Sequence, residues 1–393
     1  MTPAARVQAA IECLDDIFAG APAEKTLTSW ARRSRFAGSK DRAAVRDHVF
    51  DALRNRDSFA ALGGGLSGRA VMIGLATHQN LPLDDLFSGL GYSAAPLSED
   101  EQALVASAEV RLKAEEFDEI WDLPDWCQSK LQASHPETAK EIATALRQRA
   151  SVDLRVNTRK SSRSDALEEL ASSGISAEVC QISNSALRVT EGARRVKNSP
   201  AYLEGRVELQ DAGSQALVDA IPLSGAHRVL DYCAGGGGKA LALASRGTAA
   251  IFAHDISDAR MKDIPIRAKR AGVEITCLNT ASLASHGPFD VVLCDAPCSG
   301  SGAWRRSPDA KWRITPDRFE ELVELQSDVL SNACSLVRPG GLLVYATCSL
   351  FAEENEHQVK RFLDHSSQFE LNTSHSWSPL DDCDGFYVAI MSS

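Results

Sequence analysis

The chain changes its hydrophobic rhythm twice. Over residues 1–130 apolar positions recur at helical spacing: Val7, Ile11, Leu14 and Phe18 share one face, and Val45, Val49 and Leu53 share another. The stretch "SKDRAAVRDHVFDALR" (39–54) offers Ser39 as an N-cap and interleaves acids and bases along its polar side. "GGGLSG" (63–68) breaks one helix from the next, and "LPDW" (123–126) reads as a boundary turn. Between 135 and 205 the texture is mixed: "SVDLRVNT" and "SALRVT" are strand-like, and "DALEELASSG" is a helix closed by Gly174. From 206 to 393 short apolar runs alternate with helical segments. The runs are "HRVLDY" (227–232), "AAIFAHD" (249–255), "VEITCL" (273–278), "DVVLCD" (290–295) and "GLLVYA" (341–346), and one helical segment carries Phe319, Leu322, Val323, Leu330 and Val337. This alternation predicts a parallel sheet covered by helices on both faces. The expected fold class is α/β: a Rossmann-like domain with a parallel-rich sheet over 206–393, preceded by a small α+β module over 135–205 and an all-helical domain over 1–130.

In such sheets ligands bind beyond the carboxyl ends of the strands. The first strand of the third region runs into "DYCAGGGGKALALA" (231–244), whose glycines let the backbone approach a ligand and turn into a helix. A phosphate-binding P-loop requires glycine at position 233 and Ser or Thr after the lysine; Cys233 and Ala240 stand there, which excludes it. A dinucleotide fingerprint fits only in part. Asp255 ends the second strand, where a carboxylate can hold ribose hydroxyls or cap a helix. An acid before the glycines, Asp231, and an acid after the second strand also suit S-adenosylmethionine, a ligand with a ribose and a cationic centre.

Composition narrows the setting. A hydrophobic share of 44% is ordinary for a soluble protein, and the N-terminus lacks the three regions of a signal peptide, so a cytoplasmic location is expected. The ten cysteines include no Cys-x-x-Cys pair, so neither a structural zinc site nor any other metal is expected. Cys277 and Cys294, inside apolar runs, are expected to be buried. The net charge of −11 argues against nonspecific coating of nucleic acid but permits local basic patches. Three such groups stand out: Arg155, Arg159, Lys160 and Arg163; Arg194, Arg195 and Lys197; and Arg305, Arg306, Lys311 and Arg313.

Two cysteines sit in matching places, Cys298 in "DAPCSGSG" (295–302) and Cys348 in "YATCS" (345–349), each just beyond an apolar strand. If those strands are neighbours, about 4.8 Å apart, both thiols face one pocket. These two turns resemble the Sun-like family of RNA (cytosine-5) methyltransferases. The resemblance extends over "LRVNT" (154–158), "LQDAGSQ" (209–215), "DYCAGGGGK" (231–239), "RRSPDAKWR" (305–313), "EENE" (353–356) and "DGFYVAI" (384–390). The helices of 1–130 are similar, through "DRAAVRDHVFDALR", to the antiterminator-like RNA-binding domain of bacterial 16S rRNA members.

The resemblance implies a class I methyltransferase domain and S-adenosyl-L-methionine as cofactor, held by Cys233, Ala234, Gly235, Gly236, Gly237, Gly238, Lys239, Asp255, Asn279 and Asp295. It implies Cys348 as nucleophile toward carbon 6 of cytosine and Cys298 as the residue assisting proton removal or release of the RNA. Asp295 would contact the base, and Lys239 would orient Asp295 or meet the target phosphate. RNA, in the first place small-subunit rRNA, is the implied partner of a monomer that needs no membrane. Arg305, Arg306, Lys311 and Arg313 are the candidate backbone contacts, and Trp304 or Trp312 offers either a stacking face or core packing. The sequence departs from the family at Gly235–Gly236, where Ala-Pro is usual, at Asn279, where Asp is usual, and at Ala352, where Pro is usual. Two other assignments on the same fold are a tRNA cytosine-5 methyltransferase and a noncatalytic ribosome assembly factor.

Overall fold

The computed structural model describes residues 1–247 and 249–393, the side chains of Glu109, Glu115 and Glu116 excepted. The chain forms two compact units: Met1–Arg149 with Trp304–Ile314, and Ala150–Ala303 with Thr315–Ser393.

The first unit is helical. Helix Pro3–Phe18 buries Val7, Ile11 and Leu14, and helix Ser39–Arg54 buries Val45, Val49 and Leu53, as their spacing predicts. They share a core with Trp30, Phe59 and Met72. Two details differ from expectation. Ile17 rather than Phe18 takes the last core position of its helix. Ser39 is the first helical residue and Gly38 the cap, because Asp41 turns back to accept the Gly38 N–H at 3.1 Å. The far end of that helix is closed by the segment 304–314. Lys311 Nζ donates to the Arg54 carbonyl at 2.9 Å and Trp312 Nε1 to the Leu53 carbonyl at 2.7 Å. These are last-turn carbonyls with no partner inside the helix, and a cation there also complements its dipole. Among the described residues no single helix is long and apolar enough to cross a membrane.

The second unit holds two sheets. Strands β1 (Val152–Val156), β2 (Ser176–Val179), β3 (Ala186–Glu191) and β4 (Val207–Leu209) form an antiparallel sheet in the order β2-β3-β1-β4. Helix Arg163–Ser172 buries Ala166 and Leu170 against it, and Gly174, at φ +69°, turns the chain into β2. The larger sheet comprises β5 (Arg228–Asp231), β6 (Ala250–His254), β7 (Ile275–Leu278), β8 (Phe289–Asp295), β9 (Val337–Thr347), β10 (Glu370–Trp377) and β11 (Phe386–Ser392). Its order is β10-β11-β9-β8-β5-β6-β7. The run from β7 to β9 is parallel, and β11 and β10 are antiparallel additions.

Adjacent residues of each central strand enter different cores. Val229, Val291 and Val344 lie in one cluster, and Leu230, Val292 and Tyr345 lie in the other, so both faces are covered. Val337 opens β9 instead of extending the preceding helix, which stops at Cys334. Cys277 is exposed, not buried, because β7 is the edge strand of the sheet and is left uncovered at Thr276 and Cys277.

The sheet's carboxyl edge is stitched through one glycine. The Gly302 N–H donates to the Cys348 carbonyl at 3.0 Å, and the Gly385 N–H donates to the Gly302 carbonyl at 3.0 Å. A Cβ on Gly302 would lie 2.2 Å from the Gly385 carbonyl oxygen. Gly302→Ala is therefore expected to destabilise this unit by about 1–3 kcal/mol, the usual cost of overpacking. Urea denaturation checks it, and an unchanged midpoint would mean that the two turns can part without loss.

Candidate active site

Parallel pairing of β8 with β9, which sets Asp295 opposite Ala346, brings the two cysteine turns side by side. Cys298 Sγ lies 3.4 Å from Cys348 Sγ. Beneath them a buried carboxylate ties the turns together. Glu354 accepts the Ser299 N–H at 2.7 Å, the Ser299 hydroxyl at 2.5 Å, the Gln326 amide at 3.0 Å and the Ser349 hydroxyl. Ser299 follows Cys298 and Ser349 follows Cys348, so one anion grips the chain next to each thiol. Asn355 adds a second tie, accepting from Thr347 Oγ1 at 2.6 Å and donating to the Ser349 carbonyl at 3.0 Å. Glu354 is fully buried, and burial raises its carboxyl; the hydrogen bonds from Ser299, Ser349 and Gln326 oppose that rise. The Cys298 thiol is pushed well up by its hydrogen bond to Cys348 and by burial.

Lys239, from the start of helix Gly238–Arg246, reaches Asp295 with Nζ at 2.6 Å from Oδ2. Burial works to lower its ammonium, but the charge and hydrogen bond of Asp295, with a contribution from Cys348, raise it instead. A cation is thus fixed beside the thiol pair. Of the two roles open to Lys239 in the sequence, orientation of Asp295 is the one this contact serves.

The glycine loop leaves room and donors for a ligand. Gly235 and Gly237 use the left-handed region, at φ +50° and +78°, so the loop needs glycine there. The Gly235 N–H donates to Asp255 Oδ2 at 3.0 Å, and the Ser257 N–H donates to Asp255 Oδ1 at 3.0 Å. Arg260, largely exposed, also pairs with Asp255 at 3.0 Å. Asp231 is buried and neither of its carboxylate oxygens has a hydrogen-bond partner. Burial, and then the charge of Asp295, lift its carboxyl from about 3.8 to about 7. An uncompensated buried carboxylate calls for a cation. The amino group of an S-adenosylmethionine meets that need, and Asp255 beside the glycines is placed for ribose hydroxyls, so the residues present fit this cofactor.

Residues 220–389 match the family described as 16S rRNA methyltransferase RsmB/F, and residues 123–196 match the description Methyltr_RsmF/B-like, ferredoxin-like domain. Together they take in more than half of the chain. The chain belongs to the RsmB/F methyltransferase family. A curated relative, ribosomal RNA small subunit methyltransferase B of Klebsiella pneumoniae, is 34% identical over 280 residues, 68% of this chain and 65% of the relative. The match thus spans slightly less than two thirds of that relative's length. Among solved structures, PH0851 shares the fold with a TM-score of 0.74 at 22% identity, covering 100% of this chain and 99% of that one. A methyltransferase homolog protein from Pyrococcus horikoshii gives 0.59 at 25% identity, covering 72% and 97%.

Cys233 and Ala234 are half-buried in the loop after β5, with the Ala234 N–H donating to the His254 carbonyl at 2.8 Å. Gly236 is exposed. Asn279 lines a shallow cavity of about 330 Å³ with Lys262, Cys277 and Leu278, and its Oδ1 already accepts the Ser282 N–H at 3.0 Å. A donor arriving there would use the remaining lone pair. Arg305 and Lys311 are buried in the helical unit, so they are structural there and do not present their charge to RNA; Arg306 and Arg313 are exposed. Trp304 is buried, and Trp312 lies under the Arg56 guanidinium at 3.4 Å, so both tryptophans pack rather than stand free for stacking. The sequence did not disclose the Glu354 network. Its only trace was the serine following each cysteine and the acid of "EENE", neither of which announces burial.

The two buried carboxylates have opposite consequences for stability. Between pH 4 and pH 7 the folded protein keeps a proton on Asp231 that the unfolded chain has lost, so this residue lowers stability as pH rises through that window. Asp231→Asn should remove that slope and leave the cofactor-free variant more stable than wild type by up to about 1.4 kcal/mol per pH unit. It should bind cofactor less well. Melting curves across the pH series check the sign, and parallel wild-type and variant curves would refute an uncompensated carboxyl. Glu354→Ala strips an acceptor from four buried donors and should cost at least about 3 kcal/mol. A loss within experimental error in urea titration would show that the serines find other partners.

Proposed function

We propose that the protein transfers a methyl group from S-adenosyl-L-methionine to carbon 5 of a cytosine in RNA, with small-subunit rRNA as substrate. The observation that carries this reading is the contact of two thiols, 3.4 Å apart, beside the Lys239–Asp295 pair and the glycine loop. A noncatalytic binding module has no use for such a pair. The name of the curated relative supports the rRNA substrate.

Carbon 5 of cytosine is too weak a nucleophile to take a methyl group unaided. In the proposed mechanism the Cys348 thiolate adds to carbon 6, which places an electron pair on carbon 5 and makes it enamine-like. The buried Lys239 ammonium favours the thiolate electrostatically. Asp295 meets the base as a hydrogen-bond acceptor, and the Lys239 ammonium paired with it offsets the negative charge that thiolate addition builds on the ring. When bound, the cofactor supplies an electrophilic methyl group on its sulfonium. Once carbon 5 carries that methyl group, a base removes its hydrogen as a proton. The pair from that bond reforms the 5,6 double bond and expels the Cys348 thiolate. Cys298, with its Sγ 3.4 Å from that of Cys348, is placed to assist this last exchange.

Bisulfite sequencing of total RNA from cells with and without the gene tests the activity and the substrate together. One cytosine of small-subunit rRNA should lose its protection; loss in tRNA alone would reassign the substrate, and no change in any RNA would overturn the activity. With purified protein, Cys348→Ala should abolish methyl transfer while cofactor binding persists. Cys298→Ala should accumulate a covalent protein–RNA adduct, seen as a slow band on a denaturing gel. Wild-type turnover by Cys348→Ala would remove the nucleophile assignment.

A further inference from the structure

We infer that Arg267, steered by Glu208, is a positioning residue for the cofactor: its guanidinium clamps the glycine loop in the shape that receives S-adenosyl-L-methionine. This rests on the reading that the loop after β5 holds that cofactor, and it adds a residue that acts through the loop. The loop has few constraints of its own. Gly235–Gly238 carry no side chains to restrict the backbone, so a free loop has many conformations to lose when a ligand orders it. One internal hydrogen bond closes it, from the Gly237 N–H to the Ala234 carbonyl at 2.8 Å.

Two of its carbonyls are held from outside. Arg267, on helix Ile264–Ala271, donates from Nη1 to the Gly236 carbonyl. Arg155, on β1, donates from Nη1 to the Gly238 carbonyl at 3.0 Å. In a trans peptide the carbonyl and the following N–H point opposite ways, so these contacts also fix the N–H groups of Gly237 and Lys239. One carboxylate serves both arginines. Glu208 lies opposite Arg155 where β1 pairs with β4. It is buried, and it pairs with Arg267 at 3.6 Å and with Arg270. Arg155 is buried too, and its Nε has no partner. Burial lowers its guanidinium to about 10, and the charge of Glu208 opposes that fall. Keeping an incompletely paired cation out of water is costly, and what it achieves here is a grip on the loop. An ion pair with Glu208 alone would make Arg267 an ordinary partner of a carboxylate. Its second contact falls on the backbone of a loop without side chains. A Cβ on Gly236 would lie 3.3 Å from Arg267 Nη1, so the guanidinium stands where a side chain on the loop would stand.

The test measures binding of S-adenosylhomocysteine to the full chain by calorimetry, without RNA. Arg267→Gln should weaken binding about tenfold, the cost of ordering roughly one residue of backbone when the ligand arrives. In that background Gly236→Ala should recover about threefold, because a Cβ restricts the free loop. Gly236 lies outside the left-handed region and its N–H makes no hydrogen bond among the described residues, so alanine fits there. The gain should be smaller with Arg267 present, since the loop is already held and the new Cβ is crowded. Glu208→Gln should also weaken binding by releasing Arg267. In turnover, Arg267→Gln should raise the KM for S-adenosylmethionine and leave kcat unchanged, since it acts on the loop and not on the thiols. Arg267 is only half-buried, so folding survives, which melting curves verify. Unchanged binding by Arg267→Gln, or equal effects of Gly236→Ala in the two backgrounds, would overturn the clamp. Tighter binding by Glu208→Gln would overturn it as well, because that is the sign expected if Glu208 masks an arginine that meets the cofactor itself. If the binding results follow expectation yet no RNA is methylated, the clamp stands and the proposed activity falls. A wild type that binds no S-adenosylhomocysteine would remove the cofactor reading and the clamp together.

Discussion

The Glu354 carboxylate is the constraint on which the candidate site depends. Parallel pairing sets β8 and β9 about 4.8 Å apart, but it does not fix what lies beyond the strand ends. Turns there are ordinarily the least determined parts of a sheet. A buried anion changes this, because its desolvation is offset only if several donors converge on it with good geometry. Here the donors come from the turn after β8, the turn after β9 and helix Pro316–Cys334. Gln326 on that helix also donates to the Pro297 carbonyl at 2.9 Å, and the Tyr345 hydroxyl donates to the Glu354 carbonyl at 2.6 Å. Two thiols can stay in contact because everything next to them is already fixed.

A second balance of charge surrounds the glycine loop. Asp231, Asp255 and Asp295 act on one another, while Lys239 is the cation that sits on Asp295. Asp255 is satisfied by backbone N–H groups and Arg260. The buried Asp231 has no comparable set of donors, and burial with the charge of Asp295 lifts its carboxyl to about 7 against the opposing charge of Lys239. A site with one acid too many is pre-organised for a cationic ligand: binding discharges a cost that the protein carries on folding. The same logic explains why the glycines can depart from the family pattern. In the proposed reading Asp231 and Asp255 would anchor the cofactor from strand ends, which the loop's flexibility does not move.

Much of this was legible in the sequence, and the failures have physical causes. The central parallel strands were visible because both their faces are covered, which turns each into an unbroken apolar run. β10, "ELNTSHSW", is almost wholly exposed, so no pattern marks it. The adjacency of the two cysteine turns could be argued from sheet order, but not their separation, which Glu354 sets. The run around Cys277 reads as buried, though it is not, because an edge strand and a central strand share composition. Val337 has helical spacing from Leu330 yet belongs to β9, since the helix ends where Ser335 and Leu336 turn toward the sheet.

The basic residues show why charge alone is a poor guide to a nucleic-acid surface. "RRSPDAKWR" (305–313) is as basic as residues 32–42, yet Lys311 is buried with its ammonium lowered to about 7 by desolvation. What separates the two stretches is the supply of acceptors. Lys311 and Trp312 meet the carbonyls at the end of helix Ser39–Arg54, which no internal partner can satisfy. Burying a lysine against those carbonyls solves two deficits together. Arg32, Arg33, Arg35, Lys40 and Arg42, by contrast, stay exposed with their charge in water. Where a basic stretch meets carbonyl groups with no other partner, its charge is used inside the fold, so the density of arginine and lysine does not by itself mark a nucleic-acid surface.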